Sequence, residues 1–284
     1  MLRSLIAGYL RSTAQKAALG GLQAGLQQSA DEGPPGGDLA PVDLGFVFAL
    51  GLEARGLVER LEQTSQVRGE RVRVTLGTLA GRRIAVIVSG PGQPAARRAT
   101  AALLAGHRPR CVLSAGLAGG LDPALQHGDL LLVDRVGDAQ GRWLSLRLNY
   151  EPSGDNPVRA GSLLTVDRVV GRAEEKRSLG RAHGALAVDM ETLAVAEACQ
   201  AAQTPLVAAR VICDTADEDL PREVERLLRQ RSTAAQAGAA LGALARRPQS
   251  AADLWRLRNR AEAAAERLGE FLAALVERFP IYVK

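Results

Sequence analysis

Ala185-Leu-Ala-Val-Asp-Met-Glu-Thr192 is followed, one helix length later, by Ala209-Arg-Val-Ile-Cys-Asp-Thr-Ala-Asp217. Each half reads as a short apolar strand that delivers acidic residues at its carboxyl end. In an open parallel sheet that end is where ligands bind. Two such strands would bring Glu191 and Asp214 into a single crevice. A carboxylate accepts hydrogen bonds from sugar hydroxyls, and a protonated carboxyl donates one to a heterocycle nitrogen. The pair therefore points to a ligand carrying both groups.

Working outward, Leu44-Gly-Phe-Val-Phe-Ala-Leu50 is a fully apolar strand, with a helix expected from Leu52 to about Gln63. Arg71-Val-Arg-Val-Thr75 alternates in strand fashion, and Ala80-Gly-Arg-Arg83 makes a turn into Ile84-Ala-Val-Ile-Val-Ser89. Pro94 to Ala105 reads as a helix with proline in its first turn. Cys111–Ser114, Asp129–Val133, Ser162–Val166, Leu186–Val188 and Leu206–Ile212 follow as strands. Strands alternating with helices, several apolar on both faces, predict an α/β fold: a mixed, largely parallel sheet with helices on both faces. The chain is expected to end in helices from Glu223 to about Leu244 and from Ala251 to about Arg278. Leu254, Leu257, Ala261, Ala264, Leu268, Phe271, Leu272 and Leu275 form an apolar stripe along the second.

Before the body, Leu2, Leu5, Ile6, Tyr9 and Leu10 repeat with helical period. Ser29-Ala-Asp-Glu-Gly-Pro-Pro-Gly-Gly-Asp38 has the composition of a linker. The division expected is an N-terminal amphipathic helix over 1–28, a linker over 29–43 and a body over 44–284. Two uses of the arm stay open: packing against protein, or lying in a membrane interface as a peripheral contact. A signal peptide fits poorly because Arg11 cuts the apolar part short, and no apolar run is long enough to span a bilayer.

The 284 residues, 46% of them hydrophobic, suffice to bury one substantial domain. Net charge is +5, and Pro221–Lys284 holds twelve Lys/Arg against seven Asp/Glu, an excess equal to the whole imbalance. Such a tail is read as a solvated face, since no recognition module or interleaved aromatics point to nucleic acid. Cys111, Cys199 and Cys213 are scattered in apolar stretches, as reduced buried thiols would be, which fits a cytoplasmic protein, membrane-associated if the arm is interfacial. With no CxxC and isolated histidines, no metal site is expected.

Ser89-Gly-Pro-Gly92 and Gly116-Leu-Ala-Gly-Gly120 each follow an apolar strand, where glycine lets a backbone approach a ligand closely. Neither is a dinucleotide fingerprint. A Walker lysine loop and a GxSxG elbow are also missing from the sequence.

Val188-Asp-Met-Glu191, Arg210-Val-Ile-Cys-Asp214 and Ser114-Ala-Gly-Leu-Ala-Gly-Gly-Leu121 together resemble the signature segments of the purine nucleoside phosphorylase and methylthioadenosine/S-adenosylhomocysteine nucleosidase superfamily. The likeness runs from about Asp43 to about Leu220. Gly116-Leu-Ala-Gly-Gly-Leu-Asp-Pro123 and Ala173-Glu-Glu-Lys-Arg177 are also similar to the hopanoid-associated phosphorylase branch.

The resemblance implies cleavage of the N-glycosidic bond of a purine nucleoside, with a 5′-substituted adenosine as substrate. Asp214 matches the general acid at the purine N7, and Glu53 the glutamate that activates water in the nucleosidases. Glu191 matches the ribose-binding glutamate, with Met190 against the sugar. Gly92, Leu117, Ala118 and Gly119 match loops lining the ribose and the attacking group. Val169 and Val170 lie in the segment that contacts the purine, Val169 replacing an aromatic that usually stacks there. Ser114 and Leu117 stand where phosphorylases place an arginine and a serine on phosphate, so hydrolysis is favoured. Phosphorolysis of an adenosylated hopanoid, with phosphate as co-substrate, is the alternative, and Arg55, Arg97 or Arg98 would then supply charge. A non-catalytic nucleoside-binding protein is a further alternative. No metal or organic cofactor is implied, and a homo-oligomer, in the form of a dimer, is.

Overall fold

A computed structural model describes residues 41–68, 73–146, 158–220 and 248–278, with side chains of the last segment from residue 256. The chain divides between Leu39 and Ala40, and everything described lies in the second unit. The expected N-terminal helix and the expected helix from Glu223 to Leu244 lie outside the described residues. Val42 and Asp43, grouped with the linker by composition, belong to the body. Val42 is buried and exchanges backbone hydrogen bonds with His107 and Arg110, while Asp43 Oδ2 accepts from Arg83 N at 2.9 Å.

The described strands form one mixed sheet. At its centre β1 (Leu44–Phe48) runs parallel to both β4 (Arg82–Val88) and β5 (Cys111–Gly120). β3 (Arg73–Leu79) and β2 (Glu62–Arg68) extend that side by antiparallel pairing. On the other side the sheet curls and closes. β5 pairs with both β10 (Leu206–Asp214) and β9 (Ala187–Asp189), and β6 (Leu130–Gly137) with β8 (Val158–Thr165) completes a ring through β10–β6, β6–β8 and β8–β9. β7 (Trp143–Ser145) is appended to β6.

Alternation along β1 shows how the layers are built. Leu44, Phe46 and Phe48 enter one core with Leu57 of α1 (Gly51–Val58) and Leu268, Leu272 and Val276 of α5 (Pro248–Arg278). Val47 enters the core on the other face, with Ala96, Ala99 and Leu103 of α2 (Gln93–His107) and Val195 and Cys199 of α4 (Thr192–Ala201). α3 (Ala173–His183) precedes β9. Helices cover both faces, as the apolar strands required.

Two expectations are corrected. The first helix stops at Val58, and Glu62–Arg68 is an edge strand rather than the helix's last turn. Its Glu-Gln-Thr-Ser-Gln-Val-Arg sequence has no apolar face, because the ladder to β3 holds it while its side chains face solvent. The second concerns Gly116–Gly120, which are the end of β5 itself and not a loop after it.

Candidate active site

The signature segments meet at a cavity of about 380 Å³. Its wall includes Glu53, Leu117, Ala118, Gly119, Val169, Val170, Met190, Glu191 and Asp214, so the structure brings these nine together. β9 and β10 are not neighbours; both pair with β5, and Gly119 stands in register with Val188 on one side and Asp214 on the other. A Cβ on Gly119 would lie 3.1 Å from Asp214 Oδ2, so the glycine keeps the acid against the strand.

Gly92 is the exception among the anticipated ligand contacts. It does not line the cavity: with φ at 90° it caps α2, and its amide donates to Glu191 Oε1 at 2.6 Å. Its place is behind the glutamate, as a support.

Glu53 shows how helix physics makes a site. It lies in the first turn of α1, and its Oε2 accepts from Ala49 N at 3.0 Å and Leu50 N at 2.8 Å, closing the start of the helix. Oε1 accepts from Leu117 N of β5 at 2.8 Å. The residue is 3% exposed, and burial pushes its carboxyl above the ordinary carboxylate value against the pull of those amides and Arg210. A buried carboxylate with a raised proton affinity is suited to accept a proton.

Below it is a much smaller cavity, about 10 Å³, that shares Glu53 and Glu191 with the large one and is also lined by Ser89, Ser114 and Arg210. Space of that size takes one water molecule. Arg210 is 3% exposed and fully engaged: it donates to Asp189 Oδ2 at 2.9 Å, Ser114 Oγ at 2.9 Å and Ser114 O at 2.9 Å, and also to Thr192 Oγ1. Asp189 in turn accepts from Thr165 Oγ1 at 2.6 Å and Thr192 N at 3.0 Å. This network fixes the floor under Glu191 and ties the ends of β8 and β9, at Thr165 and Asp189, to the middles of β5 and β10, at Ser114 and Arg210.

Glu191 Oε2 accepts from Met190 N at 3.2 Å. Burial first, and then the charge of Asp189, push its carboxyl up to about 8.

Asp214 ends β10 and is 4% exposed. Cys213 Sγ donates to its Oδ1 at 3.0 Å, and the buried Nζ of Lys176 stands 2.5 Å from Oδ2. Reading the sequence alone assigned no role to Lys176, Arg210 or Asp189. The ion pair of Arg210 and Asp189 had a signal, a charge inside each otherwise apolar strand.

The cationic side chains considered for phosphate are elsewhere. Arg55 pairs with Glu59 at 3.9 Å, Arg97 pairs with Glu197, and neither they nor Arg98 line either cavity. Among the described residues no cluster of three or more His, Cys, Asp or Glu could hold a metal ion. No described helix is long and apolar enough to cross a membrane.

The remaining wall of the large cavity is mostly apolar and includes Leu220 and, from α5, Leu257 and Ala261. The apolar stripe of the last helix thus roofs the site as well as packing on α1.

A family model described as the phosphorylase superfamily matches residues 43–153 and 142–247. The 5′-methylthioadenosine/S-adenosylhomocysteine nucleosidase of Staphylococcus aureus is 25% identical over 209 residues, covering 65% of this chain and 92% of the relative. Among solved structures, the corresponding nucleosidase of Streptococcus pneumoniae, with the transition-state inhibitor MT-ImmA, has a TM-score of 0.65 at 17% identity, covering 84% of this chain and 100% of its own. That of Neisseria meningitidis, in complex with methylthio-immucillin-A, has a TM-score of 0.61 at 22% identity, covering 83% and 98%. The chain belongs to the phosphorylase superfamily and is an enzyme of its nucleosidase or phosphorylase type.

Proposed function

We propose that the protein hydrolyses the N-glycosidic bond of a 5′-substituted adenosine and releases adenine. Asp214 gives its proton to N7 of the purine as the C1′–N9 bond breaks and the bonding pair moves onto the base. Water bonds to C1′ through its oxygen, and Glu53 takes the proton that the water loses. Glu191 holds the ribose hydroxyls, with Met190 against the sugar, and Val169 and Val170 border the base. Stabilising the oxocarbenium-like sugar and the leaving base together is the work such a site has to do.

The observation that carries this reading is the water-sized polar space shared by Glu53, Glu191 and Arg210 beside the large cavity. It favours water over a phosphate dianion, which needs more room than this space offers and a free arginine fork, whereas Arg210 already donates to Ser114, Asp189 and Thr192. The apolar wall toward Leu220, Leu257 and Ala261 favours an apolar 5′ substituent, the feature an adenosylated lipid would share.

Adenine release from adenosine, methylthioadenosine and S-adenosylhomocysteine, each with and without phosphate, tests the proposal. Turnover without phosphate is expected. Strict phosphate dependence would overturn hydrolysis and remove Glu53 from the water-activating role.

A further inference from the structure

Among the described residues, Lys176 is the one side chain that is both charged and wholly buried at the edge of this site without a part in the chemistry described so far. It is 0% exposed and stands in the first turn of α3. Burying an ammonium is costly unless partners replace its water. Lys176 Nζ donates to Thr215 O at 2.9 Å and Glu218 O at 2.8 Å, and lies 2.5 Å from Asp214 Oδ2. Thr215 and Glu218 belong to the segment that leaves β10, and Asp214 is the last residue of the strand.

The two kinds of contact differ. The carbonyl contacts are directed hydrogen bonds and tie the segment down. The Asp214 contact is a close approach of the ammonium to Oδ2 outside hydrogen-bonding geometry, and Oδ2 has no hydrogen-bond partner among the described residues. Holding the segment does not require the charge: Leu220 N already donates to Gly171 O at 2.7 Å, and Asp219 Oδ1 accepts from Ala173 N at 2.7 Å. The ammonium therefore has a consequence chiefly for the carboxyl.

We infer that Lys176 is a positioning residue for Asp214, one that fixes its carboxyl beside Gly119 and stabilises the negative charge it acquires as its proton passes to the leaving base. This rests on Asp214 being the general acid. When the proton leaves Asp214, a carboxylate forms in a buried place where water cannot solvate it. A fixed cation next to Oδ2 stabilises that charge as it develops and needs no rearrangement to do so. Cys213, donating to Oδ1, holds the other oxygen.

The test compares K176M, K176Q and K176R with wild type, using the adenosine analogue the enzyme cleaves best. K176Q keeps donors for the two carbonyls and loses the charge; K176M loses both. If the charge matters, K176Q and K176M both lose about 10²-fold in kcat, within the range general acid catalysis supplies, with KM changed little. K176R, which restores a cation, should be faster than K176Q. Equal rates for K176Q and wild type would reduce Lys176 to a structural clamp and overturn the inference.

The same substitutions made in the D214N background separate this inference from the reading beneath it. If Lys176 acts through Asp214, K176M costs nearly nothing once the acid is gone, and the two losses do not add. Losses that add would overturn the inference while leaving the acid in place. A D214N enzyme as fast as wild type would instead remove the acid assignment itself.

Discussion

Gly116 and Glu53 are fitted to each other: a Cβ on Gly116 would stand 2.8 Å from Glu53 Oε1 and 3.2 Å from its Cδ. The next residue, Leu117, donates its amide to that same oxygen. β5 must therefore carry no side chain at this position if α1 is to aim a carboxylate across it. Gly116→Ala leaves the strand able to form but displaces the glutamate. Misplacing a catalytic group by about 1 Å costs on the order of 10²-fold, so kcat should fall by about that much while circular dichroism stays native. A folded Gly116→Ala enzyme with unchanged kcat would mean that the position of Glu53 is not needed for turnover.

Glu191 gives a stability signature that requires no substrate. Its folded-state value of about 8 lies above the ordinary 4.5, chiefly because of burial. Between those values the native protein keeps a proton that the unfolded chain has released. The stabilisation is complete below about pH 4.5 and is lost as pH rises through about 8. Glu53 is raised in the same direction. Glu191→Gln should flatten the fall in denaturation midpoint between pH 5 and pH 8.5, measured in urea at several pH values. Parallel curves for wild type and variant would show that Glu191 does not carry the proton.

Much of this site was legible because its parts lie at the ends of apolar strands. Val188-Asp-Met-Glu191 and Ile212-Cys-Asp214 announce both their strands and the acids that end them, and the structure puts both acids on one cavity wall. Lys176 was not legible. Within Ala173-Glu-Glu-Lys-Arg177 it is one charge among four, and its partners, Asp214, Thr215 and Glu218, lie about forty residues away in the sequence. Gly92 was legible as a special backbone position, but a positive φ says nothing of whether the freed amide meets a ligand or a glutamate. The strand at Glu62–Arg68 was hidden for a third reason: an edge strand exposed on both faces needs no hydrophobic alternation.

The crossing of α1 and α5 is set by Gly56 and Gly269. A Cβ on Gly269 would meet the Cα and carbonyl carbon of Gly56 at 2.7 Å, both of them backbone atoms that cannot swing aside. One helix carries Glu53 and the other roofs the cavity with Leu257 and Ala261. Gly269→Ala must force the helices apart, and overpacking of this kind typically costs about 1–3 kcal/mol. Both the denaturation midpoint and kcat/KM should drop. Unchanged stability would show that the two helices can slide without loss, and that their close approach is incidental.

Asp214 bears the most weight. Under the proposed mechanism it gives its proton to N7; asparagine keeps its shape and a hydrogen bond but has no such proton to transfer. General acid catalysis contributes about 10²–10⁴-fold, so kcat for Asp214→Asn should fall within that range while substrate still binds. Glu191→Gln tests a different function, because a ribose clamp acts on the bound sugar in the ground state and more strongly in the transition state. Its loss should appear mainly in kcat/KM. The two variants, assayed side by side on one adenosine analogue, should therefore separate in their kinetic pattern and not only in size. If Asp214→Asn folds and turns over near the wild-type rate, protonation of the base does not come from this carboxyl. Lys176 would then be guarding nothing more than the end of β10.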